Sequence, residues 1–149
     1  MLYTIGEMAK LMNIPASTLR YYNQEGLLPF VERSAGGMRV FKDSDYEWLC
    51  IIECLKKTGM QLKDIRTFIH MAMQGDETIE ARLTMIRKQR AAVEKRMAEL
   101  AETLEMLDFK CWYYETALEA GTTDVPRNKT ADELPEQFRA VRTRLRNKK

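Results

Sequence analysis

From Ile79 onward, Ile79, Leu83, Ile86, Arg90, Val93, Met97, Leu100, Leu104, Leu107, Cys111, Tyr114 and Leu118 advance in steps of four and three without a break. That spacing puts all twelve on one side of a helix, as the seam of a coiled coil. Asp76, Glu77 and Glu80 stand at its start, where the helix macrodipole favours acids. A helix of roughly forty residues rises about 60 Å, too far to bury its stripe against the small body the remaining residues can build. The stripe therefore calls for a partner helix, most simply that of a second copy. Arg90, the one charged seam member, avoids facing its own copy if the pair runs antiparallel about a centre near residue 98.

The residues ahead of this helix read as a small head. Thr4-Ile5-Gly6-Glu7 is a capping-box sequence, so a helix starts at Ile5 with Ile5, Met8, Ala9 and Met12 inward. Asn13-Ile14-Pro15 interrupts it, and proline suits the start of a second helix, about Ala16 to Glu25, closed by Gly26. Leu19 and Tyr22 form its buried face. Ser17, Thr18, Arg20 and Tyr21 are left to donate hydrogen bonds outward, as a recognition helix requires. The same residues also suit an ordinary solvated helix surface; the segment beyond Gly26 favours the recognition helix.

Residues 30 to 41 read as a hairpin, with Gly36-Gly37 as a two-residue turn needing positive φ angles. Period-two alternation puts Arg39 and Phe41 on one face and Met38 and Val40 on the other, packed on the helices. Arg39, with Arg33, then meets phosphate as a wing. A third helix follows from Asp43 as N-cap to about Lys57, with Trp48, Ile51, Ile52 and Leu55 inward. A fourth, about Leu62 to Met73, carries Leu62, Ile65, Phe68, Ile69 and Ala72 as its stripe and ends at Gly75. Overall charge does not speak for DNA: the net charge is only +2, and residues 1 to 75 balance nine Lys/Arg against eight Asp/Glu. The case rests on a few aimed donors.

Tyr3-Thr-Ile-Gly-Glu-Met-Ala, Ser17-Thr-Leu-Arg-Tyr-Tyr, Glu25-Gly-Leu-Leu-Pro, Gly37-Met-Arg-Val-Phe and Leu55-Lys-Lys-Thr-Gly-Met occur in order. On these motifs, residues 3 to about 73 resemble the MerR family of transcription regulators. The resemblance implies a mainly α fold, a winged helix-turn-helix head (residues 1–75) followed by a long antiparallel coiled-coil dimerisation helix (76–120); residues 121–149 read from their own composition as a linker and basic tail. It implies DNA contacts from Thr4, Ser17, Thr18, Arg20, Tyr21, Tyr22, Arg33, Gly36, Gly37, Arg39 and Phe41. The implied partners are a second copy of the chain, double-stranded promoter DNA with a pseudo-palindromic operator, and RNA polymerase. The implied mechanism is activation by bending and untwisting the promoter spacer. Pro15 departs from the serine cap frequent in similar proteins, a loss of about 1 kcal/mol of capping offset in part by proline's preset φ.

Metal-sensing members of this family place paired cysteines at both ends of the dimerisation helix. Here Cys111 is the only cysteine on that helix, and His70 reads as a surface residue, so neither metal nor cofactor is expected. Trp48-Leu-Cys-Ile-Ile-Glu-Cys-Leu-Lys-Lys-Thr-Gly-Met resembles the aldehyde- and thiol-stress-responsive branch, which makes Cys54 the sensor residue, with Lys56, Lys57 and Lys63 nearby to favour a thiolate. The alternatives are response to a metal or small-molecule ligand, or constitutive binding with Cys54 as a small buried hydrophobe. Cys111, Trp112, Tyr113 and Tyr114 are a candidate wall for the Cys54 site across the dimer.

Residues 122–130 read as a linker and 131–145 as a helix capped by Asp132. The last twelve residues hold six Arg/Lys and no acid, either a solvated tail or an added phosphate-binding element. Three cysteines and no opening apolar segment point to reduced thiols in cytoplasm, and no run is long and apolar enough to span a membrane. One histidine and no phosphate loop or catalytic spacing argue against an enzyme.

Overall fold

A computed structural model describes residues 1–147, so Lys148 and Lys149 of the basic run lie outside the described residues. The chain is mainly α, in the order β1 (Leu2–Tyr3), α1 (Ile5–Met12), α2 (Ala16–Gln24), β2 (Glu32–Arg33), β3 (Arg39–Lys42), α3 (Asp43–Lys57), α4 (Leu62–Gln74), a 3-10 turn (Asp76–Thr78), α5 (Ile79–Ala120), α6 (Asp124–Asn128) and α7 (Glu136–Asn147). It packs as two units, Met1–Val93 and the residues from Glu94 onward, so the division falls inside α5.

In the first unit, Met8, Ala9, Leu19, Tyr22, Leu27 and Phe41 meet Leu49, Ile52, Leu55, Ile65, Phe68 and Ile69 in one core. The stripes expected of α1, α3 and α4 supply most of it. Trp48, Ile51 and Leu62 pack at its edge, and Leu49 takes the central place on α3. The core takes in the first turns of α5 through Met85, and Gln89 donates to the Thr58 hydroxyl at 2.7 Å.

Three strands replace the expected two. β1 pairs with β3 (Leu2 opposite Lys42, Tyr3 opposite Phe41) and β3 with β2, all antiparallel, in the order β1-β3-β2. Asp43 does not cap α3. It accepts from the Tyr3 hydroxyl at 2.9 Å and from the N-terminal ammonium, clasping β1, while buried Asp45 accepts from the Lys42 amide at 2.8 Å at the helix start. With two carboxylates in one turn, the acid that can reach the free amide caps, and the other is released to the strand.

In the second unit the tail is built rather than trailing. Phe109 on α5 and Phe138 on α7 meet edge-on at 5.8 Å, Trp112 lies 5.7 Å from Phe138, and Leu134 and Val141 complete a buried cluster. α7 starts at Glu136 after Pro135, not at an Asp132 cap. Three of its arginines are tied down: Arg139 donates to the Leu134 and Asp132 carbonyls, Arg142 to the Arg127 carbonyl and Arg144 to the Glu105 carboxylate.

The seam of α5 is bare. Apart from half-buried Val93, every one of its twelve residues is exposed, the large apolar ones by 39% to 84%. The apolar positions of α5 thus divide between two faces: Phe109 and Ala117 are buried within the chain, and the seam beyond Val93 is left uncovered by the described residues.

Candidate nucleic-acid interface

α1 and α2 are joined by a turn whose geometry depends on two residues. Asn13 adopts the left-handed conformation (φ 54°), which lets the Ile14 amide reach back to the Ala9 carbonyl at 3.0 Å and close α1. Pro15 then opens α2 without a side-chain cap, its carbonyl accepting from the Thr18 amide at 2.9 Å. At the front of α1 the capping box is complete: Thr4 Oγ1 accepts from the Glu7 amide at 3.3 Å, and the Thr4 amide donates to Glu7 Oε2 at 2.7 Å. Those bonds draw the Glu7 carboxyl below its usual value, the backbone bond from Thr4 most strongly. The Thr4 hydroxyl proton also points to Glu7, at 2.8 Å, so this side chain caps α1 and has no free proton for a phosphate.

α2 presents Ser17, Arg20 and Tyr21 to solvent, with Thr18 half-buried. Tyr22 turns the other way and is fully buried. Its hydroxyl donates to Glu53 and accepts from Lys56 Nζ at 2.6 Å, and the Lys56 ammonium lies 4.9 Å from the ring centroid. Burial, then the Glu53 hydrogen bond and charge, push that hydroxyl well above its usual pKa. As a DNA-facing side chain Tyr22 is therefore corrected: it fixes α2 to α3.

Phe41 needs the same correction. Its side chain is fully buried and Met38 is largely exposed, the reverse of the expected alternation, because β1 pairs with β3 and turns Phe41 into the core. The wing turn also differs. Ser34 and Met38 close a three-residue loop through Ser34 N to Met38 O at 2.7 Å, and only Gly37 of the two glycines has a positive φ (77°). That is a turn followed by a left-handed residue, the usual way three residues connect two strands. Gly36 and Gly37 keep the tip small and exposed.

Arg33 and Arg39 are direct cross-strand partners on the wing. Opposite residues of an antiparallel pair share a face, and like charges there destabilise the sheet. Arg33 Nη1 folds back to donate to the Gly37 carbonyl at 3.1 Å, and Arg39 is half-buried, its pKa lowered by that burial and then by the charge of Arg33. A phosphate between them would relieve both effects. Arg20 and Arg39, with Thr4, Ser34 and Met38, line one open groove of about 470 Å³ between the helices and the wing. Recognition helix and wing thus bring two guanidinium groups to one concave surface.

Cys54 is exposed on α3, Cys50 is half-buried, and both are free thiols, as is exposed Cys111. Cys54 is not a buried packing residue. Lys56 is engaged by Tyr22 rather than held for a thiolate, and the rings of Trp112 and Tyr113 lie 5.9 and 6.3 Å from that of Phe109 in the same chain. Two features escaped the sequence: a two-residue strand carries no periodicity, and the Tyr22–Glu53–Lys56 contacts join residues 31 and 34 positions apart. Glu53 and Lys56, three apart on α3 and on either side of Cys54 and Leu55, were the available hint.

The profile of MerR HTH family regulatory proteins matches residues 3–72, and a second, described as MerR, DNA binding, matches 46–108. A helix-turn-helix transcriptional regulator of unassigned role from Haemophilus influenzae is 43% identical over 122 residues, covering 82% of this chain and 90% of its own. The regulator AdhR of Bacillus subtilis is 33% identical over 86 residues, 58% of this chain and 61% of its own. Among solved structures, HiNmlR, a MerR family regulator lacking the sensor domain and bound to promoter DNA, superposes with a TM-score of 0.75 at 42% identity, over 84% of this chain and 99% of its own.

Proposed function

From the premise that this chain belongs to the MerR family of DNA-binding transcriptional regulators and is not an enzyme, we propose that it acts as a cytoplasmic homodimer whose two heads read a pseudo-palindromic promoter site. The bare α5 seam supports pairing through that helix, antiparallel so that the two copies of Arg90 stay apart. Ser17, Thr18, Arg20 and Tyr21 face the operator from α2, and Arg33, Gly36, Gly37 and Arg39 from the wing. Buried Tyr22 and Phe41, with the cap at Thr4, hold those elements in place. The observation that carries this reading is the shared groove of Arg20 and Arg39 beside the opposed Arg33–Arg39 pair, an arrangement an anion stabilises.

The signal enters at Cys54. An electrophile that alkylates or oxidises this exposed thiol changes the bulk and charge between Glu53 and Lys56, and both of those grip Tyr22 of the recognition helix. The path from thiol to DNA-facing helix is then one side chain long. Its consequence is a different deformation of the promoter spacer, presented to RNA polymerase as an activated promoter. The test is transcription from a bound promoter with aldehydes, quinones or oxidants, comparing the natural protein with Cys54→Ala. Loss of response in the variant supports the switch, and full retention removes it.

A further inference from the structure

α3 turns Leu49, Ile52 and Leu55 to the core, and Tyr46, Cys50 and Cys54 succeed one another at four-residue intervals on its outer side. Cys54 is exposed, Cys50 half-buried and Tyr46 exposed by 36%. Residues four apart on a helix have Cβ atoms about 5–6 Å apart. A disulfide needs about 3.5–4.5 Å between them, so Cys50 and Cys54 do not join directly while α3 stays helical. The gap does accommodate one intervening atom. A zinc ion would want four ligands, and among the described residues no group of three or more His, Cys, Asp or Glu side chains is placed to hold a metal. The pair therefore suits a soft acceptor satisfied by two thiolates.

We propose that Cys50 and Cys54 form a two-thiol binding site for monosubstituted trivalent arsenicals, R–As(OH)₂. In the reaction two As–O bonds break and two As–S bonds form. Each hydroxyl leaves with one thiol proton as water, so two waters are released, arsenic stays trivalent, and no oxidant or reductant takes part. The bridge closes across Ile51, Ile52 and Glu53, clamping the turn that grips Tyr22. Its effect on transcription rests on the reading of Cys54 as the signal site; the binding chemistry does not.

The test treats the full chain with one equivalent of phenylarsine oxide, which hydrates to R–As(OH)₂, then challenges it with excess monothiol and afterwards with a dithiol. Intact mass and the number of thiols open to alkylation are read at each stage. The natural protein is expected to keep the phenylarsenic group through the monothiol, with Cys111 alone alkylated, and to release it to the dithiol. Cys50→Ala, Cys50→Ser and Cys54→Ala each lose the second bond and should bind about a hundredfold or more weakly, releasing the group to monothiol. Cys111→Ala should behave as the natural protein. Retention in the Cys50 variants, or loss in Cys111→Ala, overturns the proposal. An adduct that forms as expected without changing promoter transcription upholds the site and removes the Cys54 switch. Electrophile-driven transcription through Cys54, with an adduct that Cys50→Ser leaves equally tight, upholds the switch and removes the site.

Discussion

Tyr22→Phe removes one oxygen from the contact between recognition helix and α3 while leaving the ring volume in the core, so it separates hydrogen bonding from packing. The hydroxyl bonds both Glu53 and Lys56, and a hydrogen bond to a charged group contributes about 1.5–3 kcal/mol. Glu53 is half-buried and Lys56 exposed. Water therefore recovers part of each bond, and the head should lose about 1–2 kcal/mol at neutral pH. The difference should then shrink in alkali. Tyr22 keeps its proton in the folded head, where burial and then Glu53 raise its pKa, while the unfolded chain releases it above about pH 10. The stability held by that proton is fully present below the unfolded pKa and is lost as pH rises toward the folded one. The natural protein therefore declines by about 1.4 kcal/mol per pH unit on this account, and the phenylalanine variant does not. The two should meet within about one to one and a half pH units above that point. The assay is urea unfolding across this range, followed by the fluorescence of Trp48 with Trp112 replaced by Phe so that only the head reports. Equal stability at neutral pH, or a difference that stays constant or widens in alkali, refutes the reasoning.

Arg39→Ala should weaken operator binding across all sequences and reduce the slope of log affinity against log salt by about 0.9, the share of one phosphate contact, measured by fluorescence anisotropy at several salt concentrations. Leu104→Asp puts a charge in the exposed seam and should convert the proposed dimer to monomer in sedimentation, with loss of two-site operator binding and unchanged unfolding of the head. Phe138→Ala opens the aromatic cluster, a loss of about 3–5 kcal/mol for a buried ring. α7 has few other apolar anchors, so hydrogen exchange should show its amides unprotected while those of the head keep their protection.

What was legible in the sequence was what recurs locally. The capping box at Thr4 and Glu7, the core stripes of α1, α3 and α4 and the uncovered seam of α5 each depend on residues three or four apart, and the structure has them. The wing was legible as a hairpin but with its faces reversed, because Phe41 takes its direction from β1, thirty-eight residues upstream at Tyr3. Tyr22 could be read both as buried and as DNA-facing; its partners on α3 are what decide for burial. The tail looked like a solvated basic run because Phe138 and Val141 are sparse among arginines. Only the matching Phe109 and Trp112 on α5 make them a core, and Arg139 and Arg142 then serve as backbone ties.

Promoter DNA bound by the protein is the most direct object to measure. Hydroxyl-radical footprinting at a salt concentration that suppresses non-specific binding should show two protected half-sites related by a dyad, both lost in Arg20→Ala and held in Cys54→Ala. Protection that spreads evenly along the DNA, or that survives the loss of Arg20 and Arg39 together, would contradict a head that reads DNA with α2 and the wing.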